Sequence, residues 1–412
     1  MPIYRTPGVY VEEVPSKAHP IESTGTSTPA FIGTGGKPDA PSGPVAITNW
    51  SQFANTFLGE GPMTPLAHAV NGFFLNGGSR CYILDIGPSG TLTGTAERPG
   101  LAVLEAIEEV AIVAAPGFTD PADYDALMTH CELMRDRLAI LDPKQGIKDL
   151  MSLTRVAGVE VPDSDATPAA DAGEGGGQHP PRRSGEPDAD APRPSLYSAR
   201  YYPWLVVMDL NTGKPVLAPP SGHMAGVWAR TDSLRGVHKA PANEVLRGVV
   251  GVERRVTPAE QGELNSAGVN VIRFFDRLGI RPWGARTGAG PSAPEWRYLP
   301  VRRLFCMVEE SIAQGTSWIV FEPNDRLLWN LVKADVSAFL TRLWRDGALM
   351  GRTPAEAFYV KCDEETNPPE EIDAGRLTVE IGMAPVKPAE FIVFQVCQFS
   401  GGTITEEGSS RG

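Results

Sequence analysis

The sequence has few cysteines, and none of them are close together. Cys81, Cys131, Cys306, Cys362 and Cys397 lie 50, 175, 56 and 35 positions apart in a chain of 412 residues. No CxxC unit exists for zinc or thiol exchange, and the odd number points to reduced thiols in a reducing compartment. The six histidines, His19, His68, His130, His179, His223 and His238, form no HxH or HxxxH pair, so no metal or cofactor is expected. No apolar run approaches the roughly 18 residues of a membrane span. The first residues, Met1-Pro2-Ile3-Tyr4-Arg5-Thr6-Pro7, contain no apolar signal core, which leads us to expect synthesis and assembly in the cytoplasm. Runs of Lys and Arg are missing too, and with a net charge of −13 the chain repels phosphate backbones, so nucleic acid is not an expected partner.

Glycine and proline are plentiful, and some of that excess is local. Residues 163–194 contain no aromatic, Leu, Ile, Val or Met and carry seven acids against three arginines. Such a segment cannot bury enough apolar surface to offset the entropy of ordering it, so 159–195 is expected to be a disordered surface insertion. Around it the pattern is α/β. Val110–Ala115 reads as a strand, Asp120 with Pro121 as a helix start, Tyr124, Leu127, Cys131, Met134 and Leu138 as one helical stripe, and Leu138–Leu141 as a second strand; this order implies a parallel crossover. After the insertion, strands are predicted at Trp204–Met208 and Val269–Phe275 with a helix near Ala225–Leu234 between them. Beyond these, Val301–Ala313 reads as a helix, Trp318–Phe321 as a strand, and Asp325–Arg345 as a long helix capped by Asn324, with Leu328, Val332, Val336, Phe339 and Leu343 on one face.

The two ends read as short strands on tethers. Val9-Tyr10-Val11-Glu12-Glu13-Val14 is bounded by Pro7-Gly8 and Pro15, and Phe391–Phe399 is rich in β-branched and aromatic residues after Pro385 and Pro388. Strands presented this way either add to a sheet of another chain or pair within their own subunit.

Several fragments, taken in order, resemble the tail sheath proteins of contractile phage tails, R-type bacteriocins and extracellular contractile injection systems. They are Thr6-Pro7-Gly8-Val9-Tyr10-Val11-Glu12-Glu13, Asn76-Gly77-Gly78-Ser79-Arg80-Cys81-Tyr82, Ala229-Arg230-Thr231-Asp232 with Gly236 to Asn243, Trp283-Gly284-Ala285-Arg286-Thr287, Phe321-Glu322-Pro323-Asn324 and Pro388-Ala389-Glu390-Phe391. The resemblance implies a structural subunit rather than an enzyme. Stacked six-fold rings would surround an inner tube and drive it through a target envelope by contracting from a metastable extended state. Its implied partners are further copies of itself, the inner tube protein, and baseplate and terminal cap proteins, with no small-molecule substrate; some members leave the cell as extracellular particles. The implied fold is α/β. It comprises an N-terminal arm (1–20), a segment packing with the core (21–95), a subtilisin-like α/β domain without a catalytic triad (96–285), a C-terminal α+β sheath domain (286–385), and a C-terminal strand arm and tail (386–412). Val9, Tyr10, Val11 and Glu12, and Phe391, Ile392, Val393, Phe394 and Val396, would then be the inter-subunit strands. Arg326, Lys333, Arg342 and Arg345 are the candidate tube-facing cations.

A subtilisin-like hydrolase and another self-assembling shell are the alternatives. Ser221-Gly222-His223-Met224-Ala225-Gly226 is similar to the helix start that bears the catalytic histidine in subtilases, but the general-base position falls on Pro220 and His223 takes the non-catalytic second position. Gly315-Thr316-Ser317 is similar to the nucleophile motif, yet Trp318–Phe321 after it reads as a strand where a helix is required, leaving Asp209 as a strand-end acid. Gly33-Thr34-Gly35-Gly36-Lys37 lacks phosphate-loop spacing and runs into Pro38. Trp296, Tyr298 and Phe305 beside Arg297, Arg302 and Arg303 read as core aromatics with structural arginines.

Overall fold

A computed structural model of the chain describes residues 19–88, 90–95, 98–156 and 190–393. The first half supplies β1 (Pro29–Gly33), β2 (Val45–Ile47), α1 (Trp50–Phe57), α2 (Pro65–Leu75), β3 (Cys81–Asp85), β4 (Ile112–Ala114), α3 (Pro121–Met134) and β5 (Leu138–Leu141). Next come β6 (Ser198–Tyr202), β7 (Leu205–Met208), β8 (Pro215–Ala218), α4 (Ser221–Arg235), β9 (Val249–Val252), α5 (Pro258–Ser266), β10 (Val269–Phe275) and β11 (Gly279–Pro282). The last part contributes α6 (Leu299–Gly315), α7 (Arg326–Arg345), α8 (Pro354–Ala357), β12 (Phe358–Lys361), α9 (Pro369–Asp373) and β13 (Glu380–Met383).

Eight strands form one sheet in the order β11-β10-β6-β5-β4-β1-β3-β2. The six inner strands run parallel, and β2 and β11 close the edges antiparallel. A parallel sheet must be covered on both faces, which explains the uninterrupted burial of β1, β4, β5 and β6. Successive residues serve opposite faces. Phe31, Ile112, Leu138 and Tyr201 pack beneath α2 and α4, whereas Ala30, Ile32, Val113 and Ala139 pack against α3 with Leu101 and Leu104. The expected β4–α3–β5 crossover is present, with β4 and β5 parallel. Residues 29–85 supply β1, β2 and β3 to this same sheet.

On one face α2 and α4 cross with almost no side chain between them. A Cβ at Gly222 would lie 2.2 Å from the Ala69 backbone, and one at Gly226 would lie 2.5 Å from the Phe73 carbonyl. Two glycines four residues apart are what let the helix backbones approach.

Three sequence expectations are corrected. Trp204–Met208 does yield β7, but as the middle strand of a separate antiparallel sheet, β8-β7-β9. The intervening turn decides this: Asp209 accepts from the Asn211 and Thr212 amides and Gly213 takes φ +67°, folding β7 back on β8. Trp318–Phe321 is no strand. Ser317–Ile319 is a short 3-10 turn, and Trp318 stacks on His19 at 4.2 Å instead of entering a sheet. The cap of α7 is Asp325, whose carboxylate accepts from the Leu327 and Leu328 amides. Asn324 instead accepts from Trp329 Nε1 and donates to the Arg376 carbonyl. The expected apolar face of α7 is buried as read, joined by Trp329 and Leu340.

At the insertion, residues 157–189 lie outside the described residues, but 190–195 are held firmly. Ala191 bridges Val156, Arg193 pairs with Asp125 and Glu132, and Ser195 bonds Glu132. The end of the expected disordered stretch therefore belongs to the body, because α3 offers acids to its one remaining arginine. Val9, Tyr10, Val11 and Glu12 lie outside the described residues, as do Phe394 and Val396.

Candidate subunit-linking site

The functional residues expected from the sequence concern how the ends leave the body. Residues 19–28 cross from the second helical layer to the sheet. Ile21 is 1% exposed and sits so close to Gly315 that a Cβ there would meet it at 2.8 Å. Arg342 donates to the Ile21 carbonyl, and the Thr24 amide donates to Ser311 Oγ at 2.9 Å. Thr26 then donates to Asp232 at 2.6 Å, and the same carboxylate receives both arms of Arg303, at 2.9 and 2.5 Å. Arg303 also donates to the Thr26 carbonyl and lies over the Trp228 ring. A buried ion pair thus fastens α4, α6 and the incoming segment at one point.

At the other end, Glu390 forms a two-pronged pair with Arg286 at 2.9 and 2.6 Å and accepts from Asn265 at 2.7 Å. Burial acts to raise its carboxyl pKa, but the donors of Arg286, Asn265 and Tyr298 outweigh it and hold it below its ordinary value. Phe391, Ile392 and Val393 follow directly. They have no strand partner among the described residues and are 73%, 74% and 79% exposed. The two-stranded antiparallel sheet of β12 and β13 packs on α7, and among the described residues each strand has one unpaired edge.

The four candidate tube-facing cations do not share one face. At about 100° per residue, Arg326 and Lys333 lie about 20° apart, while Arg342 lies about 160° from Arg326. Arg326 pairs with Glu364, Lys333 is exposed, Arg342 holds Ile21, and Arg345 is exposed in the last turn.

The residues considered for catalysis serve structure. Pro220 is the N-cap of α4 and has no side-chain oxygen to offer; Asp142, just past β5, takes over by accepting from the Ser221 amide at 2.8 Å and hydroxyl at 2.6 Å. Burial pushes the Asp142 carboxyl up to about 7 against those bonds. Asp209 accepts the Met63, Asn211 and Thr212 amides and lies 3.6 Å from His68 Nε2. His223 is buried beside Gly72 and lowered to about 4 by burial and the neighbouring His68. Ser317 occupies the turn after α6, next to Trp318 and Ile319 in a different core cluster from α4. Acids at strand ends that already accept several amides organise loops and are poorly placed to act as bases. Lys37 likewise donates to the Asn55 carbonyl, and Arg302 sits among the rings of Tyr197, Trp296 and Phe305.

Cys81, Cys131, Cys306 and Cys362 are buried free thiols, and burial raises Cys306 to about 11; Cys397 lies outside the described residues. Among the described residues no group of His, Cys, Asp and Glu could hold a metal ion, and no helix is long and apolar enough to cross a membrane.

What sequence reasoning missed is how the resembling fragments meet in pairs. Arg286 of one grips Glu390 of another, and Arg230 donates to the carbonyl of Asn76, whose side chain in turn holds the Arg247 backbone. Opposite charge in widely separated fragments signals the first of these pairs, and no charge pattern marks the second, where Asn76 is neutral.

Comparison with known proteins accords with this arrangement. Residues 183–288 match the model of the phage tail sheath protein central domain, and residues 292–399 match the phage tail sheath C-terminal domain. The helical sheath of the anti-feeding prophage in its contracted state is 32% identical, with a TM-score of 0.71 over 96% of this chain and 100% of that one. The PVC sheath complex, an extracellular contractile injection system in its contracted state, is 28% identical, with a TM-score of 0.75 over 97% and 99% of the two chains. The tail sheath protein of Burkholderia phage BcepMu is 31% identical over 201 residues, which is 47% of this chain and 41% of that protein. The chain matches less than half the length of its curated phage relatives. The chain belongs to the tail sheath protein family.

Proposed function

We propose that this chain is the structural subunit of a contractile sheath. Copies stack as six-fold rings around an inner tube and drive it forward by repacking from a metastable extended state. The observation that carries this reading is the division of labour at the ends. Thr26 on the N-terminal side and Glu390 on the C-terminal side are fastened to the body by charged clamps, and among the described residues the β12–β13 sheet has two unpaired edges. Unpaired edges invite strand addition, and a head-to-tail contact whose rotation does not close builds a helix. In this reading Val9–Glu12 and Phe391–Val396 pair with β12 and β13 of neighbouring copies. If each arm forms about five backbone hydrogen bonds worth roughly 1 kcal/mol net each, the links outlast the weaker surface contacts broken on contraction.

The likeness to sheaths in contracted states and to the six-fold symmetrised baseplate of the anti-feeding prophage supports rings, with baseplate, cap and tube proteins as partners. Within the subunit the α/β domain, subtilisin-like in plan and without a triad, takes its strands from β1 through β11, so residues 29–85 belong to it together with 96–285, and 286–385 is the sheath domain. Assembly takes place in the cytoplasm. Arg326 and Lys333, which share a face of α7, are the better pair for the tube contact: Lys333 is exposed and Arg326 pairs with an exposed acid, Glu364, whereas Arg342 is committed to the Ile21 carbonyl within the subunit. Electron microscopy of the purified protein tests the reading: the full chain should give helical cylinders, and a chain lacking residues 1–14 should stay folded and give none. Normal long cylinders from that truncation would rule out the arm model.

A further inference from the structure

Residues 384–390 bridge the two layers of the subunit. The Met350 amide donates to the Ala384 carbonyl at 2.7 Å and the Val386 amide to the Ala348 carbonyl at 3.1 Å, fixing the start of the segment beside the end of α7. Four residues later Glu390 is held on the α/β layer. It receives Arg286 Nε at 2.9 Å and Nη2 at 2.6 Å, Asn265 Nδ2 at 2.7 Å and, more weakly, the Tyr298 hydroxyl at 3.5 Å. The clamp is itself rigid. Arg286 Nη1 donates to the Asn265 carbonyl at 2.9 Å, and the Arg286 amide donates to the buried Asn270 side chain at 2.7 Å. Only 18% of the Glu390 side chain is exposed, yet the very next residue, Phe391, is 73% exposed. A partly buried acid held by three residues therefore immediately precedes three apolar residues in water.

We propose that Arg286, Asn265 and Tyr298 form a positioning clamp on Glu390 that fixes the point and direction at which the C-terminal segment leaves the subunit, and thereby the register in which Phe391 and its successors meet the neighbouring copy. The inference rests on the strand-arm reading above. Strand pairing tolerates no one-residue slip, because a slip turns every side chain to the opposite face. Without the clamp, the last fixed backbone point retreats to Val386. Four more residues must then be ordered when the neighbour is met, which lowers the effective concentration of a correctly presented strand.

The test uses the full chain carrying Glu390→Gln, a second variant carrying Asn265→Ala, and a third chain ending at residue 390. The melting temperature and the minimum concentration for cylinder formation are measured for each. The expected result is that both point variants melt within about 2 °C of the parent. Glu390→Gln should need about tenfold more protein to assemble, and Asn265→Ala less than that. The shortened chain should not assemble. If the shortened chain fails while Glu390→Gln assembles at the parent's threshold, the clamp is refuted and the arm reading stands. If the assembly defect of both variants is matched by lost thermal stability, the contact merely holds the body together and the proposal is likewise refuted. If the shortened chain assembles normally, the arm reading itself fails, and the clamp with it.

Discussion

Removing the Asp232 carboxylate should destabilise the subunit severely, and removing its partner as well should cost less than the two losses added together. The side chains of Asp232 and Arg303 are 6% and 3% exposed, and the pair is closed by bonds of 2.9 and 2.5 Å. Breaking a buried pair from one side leaves an uncompensated charge out of water, which costs about 3–5 kcal/mol. In Asp232→Ala the Thr26 hydroxyl loses its acceptor too, adding about 1 kcal/mol. Against a typical total of about 5–15 kcal/mol, that is a large fraction of the stability. The double variant Asp232→Leu/Arg303→Met has no orphaned charge, so its cost should fall short of the two single costs combined by about 2–4 kcal/mol. Urea titration of tryptophan fluorescence, at a concentration where sedimentation shows single subunits, reads this directly. Trp228 lies 4.5 Å under the guanidinium and is fully buried. Strictly additive single costs, or a loss below about 1 kcal/mol for Asp232→Ala, would show that water already compensates the pair and that the N-terminal anchor is weak.

Two further outcomes follow from the helix crossing beneath the sheet. His223 is kept neutral in the fold, with its pKa lowered to about 4 by burial and by His68. A depressed pKa stabilises above the ordinary value of about 6.5 and is lost as pH falls through 4, at most about 3 kcal/mol. Replacing His223 with Leu should therefore flatten the decline of the urea midpoint between pH 6.5 and 4; an unchanged slope would place the acid sensitivity elsewhere. Gly222→Ala puts a methyl group 2.2 Å from the Ala69 backbone, where backbone rather than a movable side chain must yield. A loss of about 1–3 kcal/mol is expected by the same titration, and a neutral result would mean that α2 and α4 can separate freely.

Periodicity made the central sheet and its helices legible. The Val110–Ala115 and Leu138–Leu141 runs, the α3 stripe as far as Cys131 and the α7 stripe each bury an apolar face, whereas Leu138, read as the last member of the α3 stripe, belongs to β5 and packs on the opposite side of the sheet because α3 stops at Met134. Where it failed, local chemistry had overridden composition. Trp318-Ile319-Val320-Phe321 has strand composition, but the chain turns there in a 3-10 turn and Trp318 stacks on His19. Asn324 and Asp325 are both capable caps, and only the position of Trp329 and Arg376 decides which one is free to turn back on α7. The two clamps were beyond sequence reading for a different reason. Thr26, Asp232 and Arg303 are 206 and 71 positions apart, and Arg286 and Glu390 are 104 apart, so no window of sequence contains either contact.

The same long separations bear on how such a subunit can link to others without losing its own fold. A segment that pairs with a neighbour transmits whatever force the assembly bears into the first residue that is fixed to the body. At the N-terminal side that residue lies within a run beginning at His19, and the load passes through Ile21, Thr24 and Thr26 into α6, α7 and the buried Asp232–Arg303 pair. At the C-terminal side it is Glu390, and the load passes through Arg286 into the Asn265 backbone and the buried Asn270 of β10. Both routes reach the interior, where close packing resists displacement. On the arm reading proposed above, Glu390 thus takes the load ahead of β13 in the same chain. On that same reading, the body rotates between packings while its links persist.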